Sequence, residues 1–384
     1  MTRKRICIIS TVPYPILVFM REHVAKLSEY YDVTLISSGD GHELISMLND
    51  RVRFISVRIE RKIAIFPDIL ALSSLLRIFY RHKFDCVHSL MPKSALLTMV
   101  AAWIVQTKVR VHVFTGQVWV VKTGLVRLVL IWMDRLVSAC ATNLLADSPS
   151  QRDFLIAEKV VKPEKIRVLG NGSISGVDIK RFKYDASQRL IIREKFGIGR
   201  DDVVFLYLAR LTRVKGIVDL ISAFVGIADI MPHAHLIVVG PDEEQLSPLL
   251  ESMWVNCKYK IHRVNHTDQP EGYMSAADIF CLPSYLEGFS SATIQAAGVG
   301  LPAIVSRIYG LTDAVKSDVT GIFHETGAIA QMQEAMTLLY TDKVLRRKMG
   351  DAAHHRAYED FPQDLIVEEM RLFYEELLGV QSAL

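Results

Sequence analysis

The chain has 384 residues, 50% apolar and 23% charged, enough to bury the cores of two domains and unlike a disordered or collagen-like polypeptide. The five cysteines, Cys7, Cys86, Cys140, Cys257 and Cys281, are far apart and form no CxxC pair. That argues against a disulfide framework and a structural zinc site, and fits a reducing cytoplasm. The net charge of +3 conceals an asymmetry: residues 1–183 carry +12 and residues 184–384 carry −9. The first half is therefore drawn to anions, with nucleic acid, an anionic membrane and a phosphorylated lipid as candidates.

The N-terminus is basic, but its apolar stretch is short, holds Pro13 and Pro15, and lacks a small-residue cleavage site. It reads as a first strand rather than a signal peptide. No window reaches 18 consecutive apolar residues, and the run at 95–105 is broken by Thr98, so a buried helix is expected there and no membrane span.

Strand-like runs fall at 5–10, 32–37, 52–57, 86–90, 109–114, 143–148 and 166–170, with helical patterns such as 21–30 and 151–157 between them. The series restarts at 203–209 and continues at 235–240, 261–264, 278–283, 302–306 and 320–324. Alternating strands and helices predict two doubly wound α/β domains in tandem, each with a parallel sheet covered on both faces. The polar, Gly-rich stretch 171–185 suits the join. The expected organisation is 1–183, 184–362, and a final amphipathic helix from 363 that packs back on the first domain. Ligands of such sheets sit beyond the C-terminal ends of the strands, so a cleft between the two domains is the expected site.

The stretch 119–135 mixes two tryptophans, many aliphatics and a few mostly basic charges. As a helix it shows more apolar surface than one face needs to bury. It either lies in a membrane interface or is a core helix with exposed basic residues. The stretch 69–80 is a weaker candidate of the same kind.

Three segments after strands carry candidate chemistry. Arg210 and Lys215, before Gly216 and a helix, could share one polyanion, the arginine as a fork and the lysine as a point charge, with the helix N-terminus adding N–H groups. A solvated basic turn is the other reading. Glu287, Gly288, Phe289 and Ser290 follow the strand at 278–283, with Gln295 further into the next helix. Glu287 could face a ligand and Gly288 lets the backbone approach it; the alternative is a helix cap made by Ser290 or Ser291. The third segment, 112–119, holds Gly116 as a site of close approach, while His112 in an apolar strand reads as a satisfied core histidine. No opposed carboxylate pair, Walker loop, HExxH or GxGxxG is present.

In order and spacing, Arg210, Lys215-Gly216, Val239-Gly240, Pro283-Ser284 and Glu287-Gly288-Phe289 resemble the retaining glycosyltransferases of family 4, with GT-B architecture. The resemblance spans nearly the whole chain and lies with bacterial enzymes of capsule, O-antigen or lipid-linked oligosaccharide synthesis. Segments 114–119 and 169–178 resemble a subgroup that often uses UDP-N-acetylhexosamines. It implies that Arg210 and Lys215 hold the donor diphosphate and that Glu287 faces the sugar hydroxyls. Gly116, Gly240, Gly288, Phe289 and Ser290 would line the donor site. Gln295 stands where the family has a ribose-binding glutamate, and Pro13-Tyr14-Pro15-Ile16 replaces a glycine pair. Thr115 takes the place of a donor-contacting histidine.

The resemblance further implies a UDP-sugar donor, no cofactor and no metal requirement, and a front-face displacement in which the leaving phosphate takes the acceptor proton. The acceptor would be a polyprenyl-diphosphate-linked saccharide on the first domain. The protein would sit at the cytoplasmic face of the membrane, bound peripherally to an anionic surface, with no nucleic acid as partner. Rival readings are a GT-B epimerase or phosphorylase, or an inactive lipid- or nucleic-acid-binding scaffold.

Overall fold

The structure is a computed structural model that describes residues 3–39, 41, 52–60 and 64–379. The chain forms two compact units: Met1–Ser175 together with Asp364–Leu384, and Gly176–Gln363.

The first unit is built on a seven-stranded sheet of order β3-β2-β1-β4-β5-β6-β7. Its strands are β1 (Arg5–Ile9), β2 (Asp32–Ser37), β3 (Val52–Ser56), β4 (Cys86–Ser89), β5 (Val109–Phe114), β6 (Asn143–Ala146) and β7 (Ile166–Val168), all parallel. Successive strand residues point to opposite faces. Cys7 and Ile9 therefore enter one core, while Ile6 and Ile8 enter another. The first core lies under helices Ile65–His82, Pro92–Ile104 and Gly124–Cys140; the second under Arg21–Tyr30 and Gln363–Leu378. The last helix contributes Met370, Phe373 and Tyr374, all buried, and the Tyr374 hydroxyl lies 2.7 Å from His88 Nδ1.

The second unit carries a six-stranded parallel sheet of order β10-β9-β8-β11-β12-β13. Its strands are β8 (Val203–Leu208), β9 (Ala234–Val239), β10 (Ile261–Val264), β11 (Ile279–Leu282), β12 (Ala303–Ser306) and β13 (Gly321–His324). Sheets buried on both faces need nearly continuous apolar strands. Val203–Leu208 meets that condition, with five of its six residues buried. The fold class expected from the sequence, two doubly wound α/β domains, is the one observed.

Two expectations need correction. The units divide at Ser175/Gly176 rather than at 183/184. Val177 exchanges backbone hydrogen bonds with Phe361 and Gln363, at 2.7 and 2.9 Å, and Phe182 enters the second core. Those contacts tie the segment after 175 to the second unit. The expected helix 119–135 is also broken. Val118–Val121 forms a short 3-10 turn, Lys122 and Thr123 are extended, and the helix proper is Gly124–Cys140, starting from Gly124 at φ +62°. Trp119 thereby points inward, 2% exposed and stacked on Phe154, so only Trp132 of the two tryptophans faces solvent.

Candidate functional site

The second sheet reverses its strand order between β8 and β11. In open parallel sheets, ligands bind beyond the strand ends at such a switch point. The loop after β8 carries Arg210, Lys215 and Gly216; the loop after β11 carries Pro283 to Ser290. The two loops are stitched together. Tyr285 N–H donates to the Val214 carbonyl at 2.8 Å. Gly216 has φ +72°, and a Cβ there would lie 1.9 Å from the Pro283 carbonyl oxygen. Only glycine permits both features.

Lys215 Nζ lies 2.6 Å from Glu287 Oε1, and the Ser284 hydroxyl donates to the same oxygen at 2.8 Å. The lysine and glutamate side chains are 16% and 9% exposed. A buried carboxylate is tolerated when paired and hydrogen-bonded in this way. Arg210 is different. Its exposed guanidinium pairs with Glu243 at 2.7 Å, while its carbonyl accepts the Tyr207 hydroxyl at 2.8 Å. The sequence assigns Arg210 and Lys215 to one polyanion; the structure gives each cation its own carboxylate.

Gly240 follows β9 at φ +145°, and a Cβ there would meet the Ala209 carbonyl oxygen at 1.9 Å. Arg263 wraps the same turn, donating to the Gly240 carbonyl at 2.5 Å and to Val264. Gly288 is buried beneath Gly310, whose Cβ would lie 2.5 Å from the Gly288 oxygen. Phe289 is 8% exposed and packs on Phe361, so its ring belongs to the core and its backbone alone is left for a ligand. The Ser290 hydroxyl accepts from the Thr293 N–H at 3.2 Å, which is the helix cap named as the alternative above. Gln295 sits half-buried on the helix Ser291–Val299.

Sequence reasoning missed three contributors: Ser284 as a donor to Glu287, Arg263 around Gly240, and the Tyr285 hydroxyl, which donates to Asp219 at 2.6 Å. That bond and burial push the Tyr285 phenol up to about 12. The Arg263 and Tyr285 pairings join residues 23 and 66 positions apart, and no local pattern announces them.

Gly116 belongs to the first unit. It lines a cavity of about 220 Å³ beside the end of β5. Trp119 Nε1 donates to Asp134 there at 2.7 Å, and burial pushes the Asp134 carboxyl up to about 6. His112 is 2% exposed with Nδ1 3.0 Å from the Ser89 hydroxyl, a satisfied core histidine.

Two Rossmann-like units and the matches to known proteins define a class: the chain is a glycosyltransferase of GT-B fold. Residues 188–356 match the family model for glycosyl transferases group 1, and residues 18–172 match the glycosyl transferase 4-like domain. The chain is 29% identical to the capsular polysaccharide biosynthesis glycosyltransferase CapM of Staphylococcus aureus over 350 residues, 90% of each chain. It is 28% identical, over 85% of each chain, to the UDP-Gal:alpha-D-GlcNAc-diphosphoundecaprenol alpha-1,3-galactosyltransferase of Escherichia coli. Among solved structures, Anabaena HepE in complex with UDP and glucose superposes with a TM-score of 0.80 at 16% identity, covering 99% of this chain and 100% of that one. WaaG, a glycosyltransferase of lipopolysaccharide biosynthesis, gives 0.73 at 18% identity over 96% and 99%.

Proposed function

We propose that the protein is a retaining hexosyltransferase. It moves a sugar, an N-acetylhexosamine or related hexose, from a UDP-sugar to a polyprenyl-diphosphate-linked saccharide in surface polysaccharide synthesis. The observation that carries this reading is the Lys215–Glu287–Ser284 cluster at the β8/β11 switch point. The names of the relatives support the substrate classes: the E. coli protein uses UDP-Gal and a diphosphoundecaprenol acceptor, and HepE was crystallised with UDP.

In this reading, negative charge grows on the leaving UDP as the glycosidic bond breaks. Lys215 and Arg210 stabilise that charge more in the transition state than in the ground state. Glu287, released from Lys215 by the diphosphate, accepts from donor sugar hydroxyls. The acceptor oxygen enters on the face the phosphate leaves, and the phosphate takes its proton. Fixed cations and the N-terminus of helix Ser291–Val299 carry the charge neutralisation, so activity is expected to survive chelation.

Peripheral attachment to an anionic membrane belongs to the same reading. No described helix is long and apolar enough to cross a membrane. The helix Gly124–Cys140 instead exposes Leu125, Val126, Leu128, Val129, Trp132 and Leu136 along one side, and helix Ile65–His82 exposes Ile65, Phe66, Ile69 and Leu70. Such stripes suit the interface of a bilayer facing a unit of positive charge.

The experiment is transfer from labelled UDP-sugars to an undecaprenyl-diphosphate-linked saccharide, followed by the anomeric configuration of the product. An α-linked product from an α-linked donor supports the reading; an inverted product, or no transfer from any UDP-sugar, contradicts it. Sedimentation with anionic vesicles tests the attachment. The double substitution Leu125→Glu and Trp132→Glu should abolish it.

A further inference from the structure

The cavity beside Gly116 lies within the first unit. Its volume of about 220 Å³ exceeds the roughly 150 Å³ of apolar cavities that take up benzene. Leu96, Phe114, Trp119, Leu130, Met133 and Val137 are among the apolar side chains of its wall.

Most of the polar side chains in that wall are already engaged. Lys93 pairs with Asp68 at 2.8 Å. Asp134 accepts from Trp119 at 2.7 Å. Gln117 accepts from Gln151 at 3.2 Å, and His112 Nδ1 meets Ser89. The wall offers mainly contact area and few open hydrogen-bonding groups, which suits a hydrocarbon better than a saccharide.

Its position is informative too. The cavity lies at the C-terminal end of β5, where a ligand's reacting head would emerge among the strand ends. Two of the helices that wall it, Gly124–Cys140 and Ile65–His82, carry the outward apolar stripes described above. Leu130, Met133 and Val137 face the cavity, while Leu125, Val129, Trp132 and Leu136 face outward. A helix apolar on both sides lies between two apolar surroundings. Val118, 45% exposed, forms part of the wall and reaches the surface.

We propose that this cavity binds the isoprene units nearest the diphosphate of the lipid-linked acceptor. The chain would leave the bilayer beside the exposed stripe and seat its first units against Leu130, Met133 and Val137. This rests on the polyprenyl-acceptor reading. It adds that the first unit recognises the lipid itself as well as the saccharide.

The test is equilibrium binding of farnesyl diphosphate, dodecyl diphosphate and inorganic diphosphate to the full chain. The variants are Met133→Trp and Leu97→Phe, each of which fills the cavity from a different helix; the second serves if the first fails to fold. Farnesyl diphosphate should bind at least about tenfold more tightly than inorganic diphosphate, and each folded variant should lose about that factor while UDP affinity stays unchanged. Equal binding of farnesyl and inorganic diphosphate, or variants that bind farnesyl diphosphate like the wild type, overturns the proposal. Equally tight dodecyl diphosphate overturns the isoprenoid assignment. The acceptor reading fails separately. Variant-sensitive farnesyl binding without transfer to any polyprenyl-linked saccharide leaves the cavity as an isoprenoid site and removes the acceptor assignment. Transfer with variant-insensitive binding does the reverse.

Discussion

Lys215 and Glu287 meet across the point where the second sheet reverses its strand order, 2.6 Å apart and both largely withdrawn from solvent. Each is the other's ion-pair partner. Removing one partner of a buried pair costs about 3–5 kcal/mol, because the other charge is left uncompensated. Lys215→Ala should therefore lower both the melting temperature and turnover. Glu287→Gln keeps an oxygen for Ser284 and Lys215, so it should melt closer to wild type while losing at least about tenfold in kcat, roughly 1.4 kcal/mol of transition-state stabilisation. A Glu287→Gln enzyme with wild-type kcat would remove the carboxylate from the mechanism.

The turn that delivers Lys215 tolerates no side chain at its end. Gly216→Ala would place Cβ 1.9 Å from the Pro283 oxygen at φ +72°, whereas Gly300, at φ +97°, has no neighbour within 4 Å. The second substitution should cost about 1–2 kcal/mol, the backbone term alone. The first should cost more, since the loops after β8 and β11 must separate. Chemical denaturation of the two variants compares them directly. Equal losses would mean that the contact between the loops yields easily.

Acid should destabilise the first unit through its buried histidines. Burial lowers His23 and His112 from 6.5 to about 4, and His88 to about 3. Below 6.5 the unfolded chain takes up protons that the folded chain refuses, so stability falls as pH drops from there towards the folded values. At about pH 5 each histidine costs about 2 kcal/mol, at about 1.4 kcal/mol per pH unit. Asp134 runs the other way. Its carboxyl is raised to about 6, so protonating it on acidification returns about 1 kcal/mol at the same pH. The expected result is a melting temperature that falls steeply from pH 6.5 to 5, with a shallower slope in His23→Gln. A flat profile would show that these imidazoles reach water.

Arg193 is the buried strut of the second unit. It is 3% exposed, pairs with Asp278 at 2.6 Å, and donates to the carbonyls of Ala276, Gly199 and Asp202. Arg193→Ala should cost about 3–5 kcal/mol, and Arg193→Lys should recover little, because an ammonium cannot reproduce the planar fork. Thermal unfolding decides this. A lysine variant as stable as wild type would mean that charge alone matters here.

The strands were legible because a parallel sheet covered on both faces needs unbroken apolar runs, and 203–208 and 236–239 have them. The loops after β8 and β11 were legible because Lys215-Gly216 and Glu287-Gly288 stand just past such runs. What lies between them was not. Glu287 finds Lys215 across 72 positions, and Tyr285 finds Asp219 across 66, contacts set by strand order rather than by local pattern. The break before Gly124 was missed because the apolar stretch around it continues in sequence, whereas extended Lys122 and Thr123 interrupt it in space. Phe289 and Ser290 were read as offering backbone N–H groups to a ligand, and their side chains are taken up by a core contact and the helix cap.

The central claim is that the loops after β8 and β11 hold the diphosphate of a uridine nucleotide. The most direct measurement is a thermal-shift titration with UDP, GDP, ADP and CMP on the wild type, Arg210→Ala and Lys215→Ala. A ligand that binds only the folded state raises its melting temperature by mass action, by about 2.7 kcal/mol of stability at a hundredfold excess over Kd. The account predicts a shift with UDP, none of comparable size with the other three, and loss of the UDP shift in Lys215→Ala with a weakened one in Arg210→Ala. An undiminished UDP shift in both variants, or a shift with GDP or ADP alone, would contradict it.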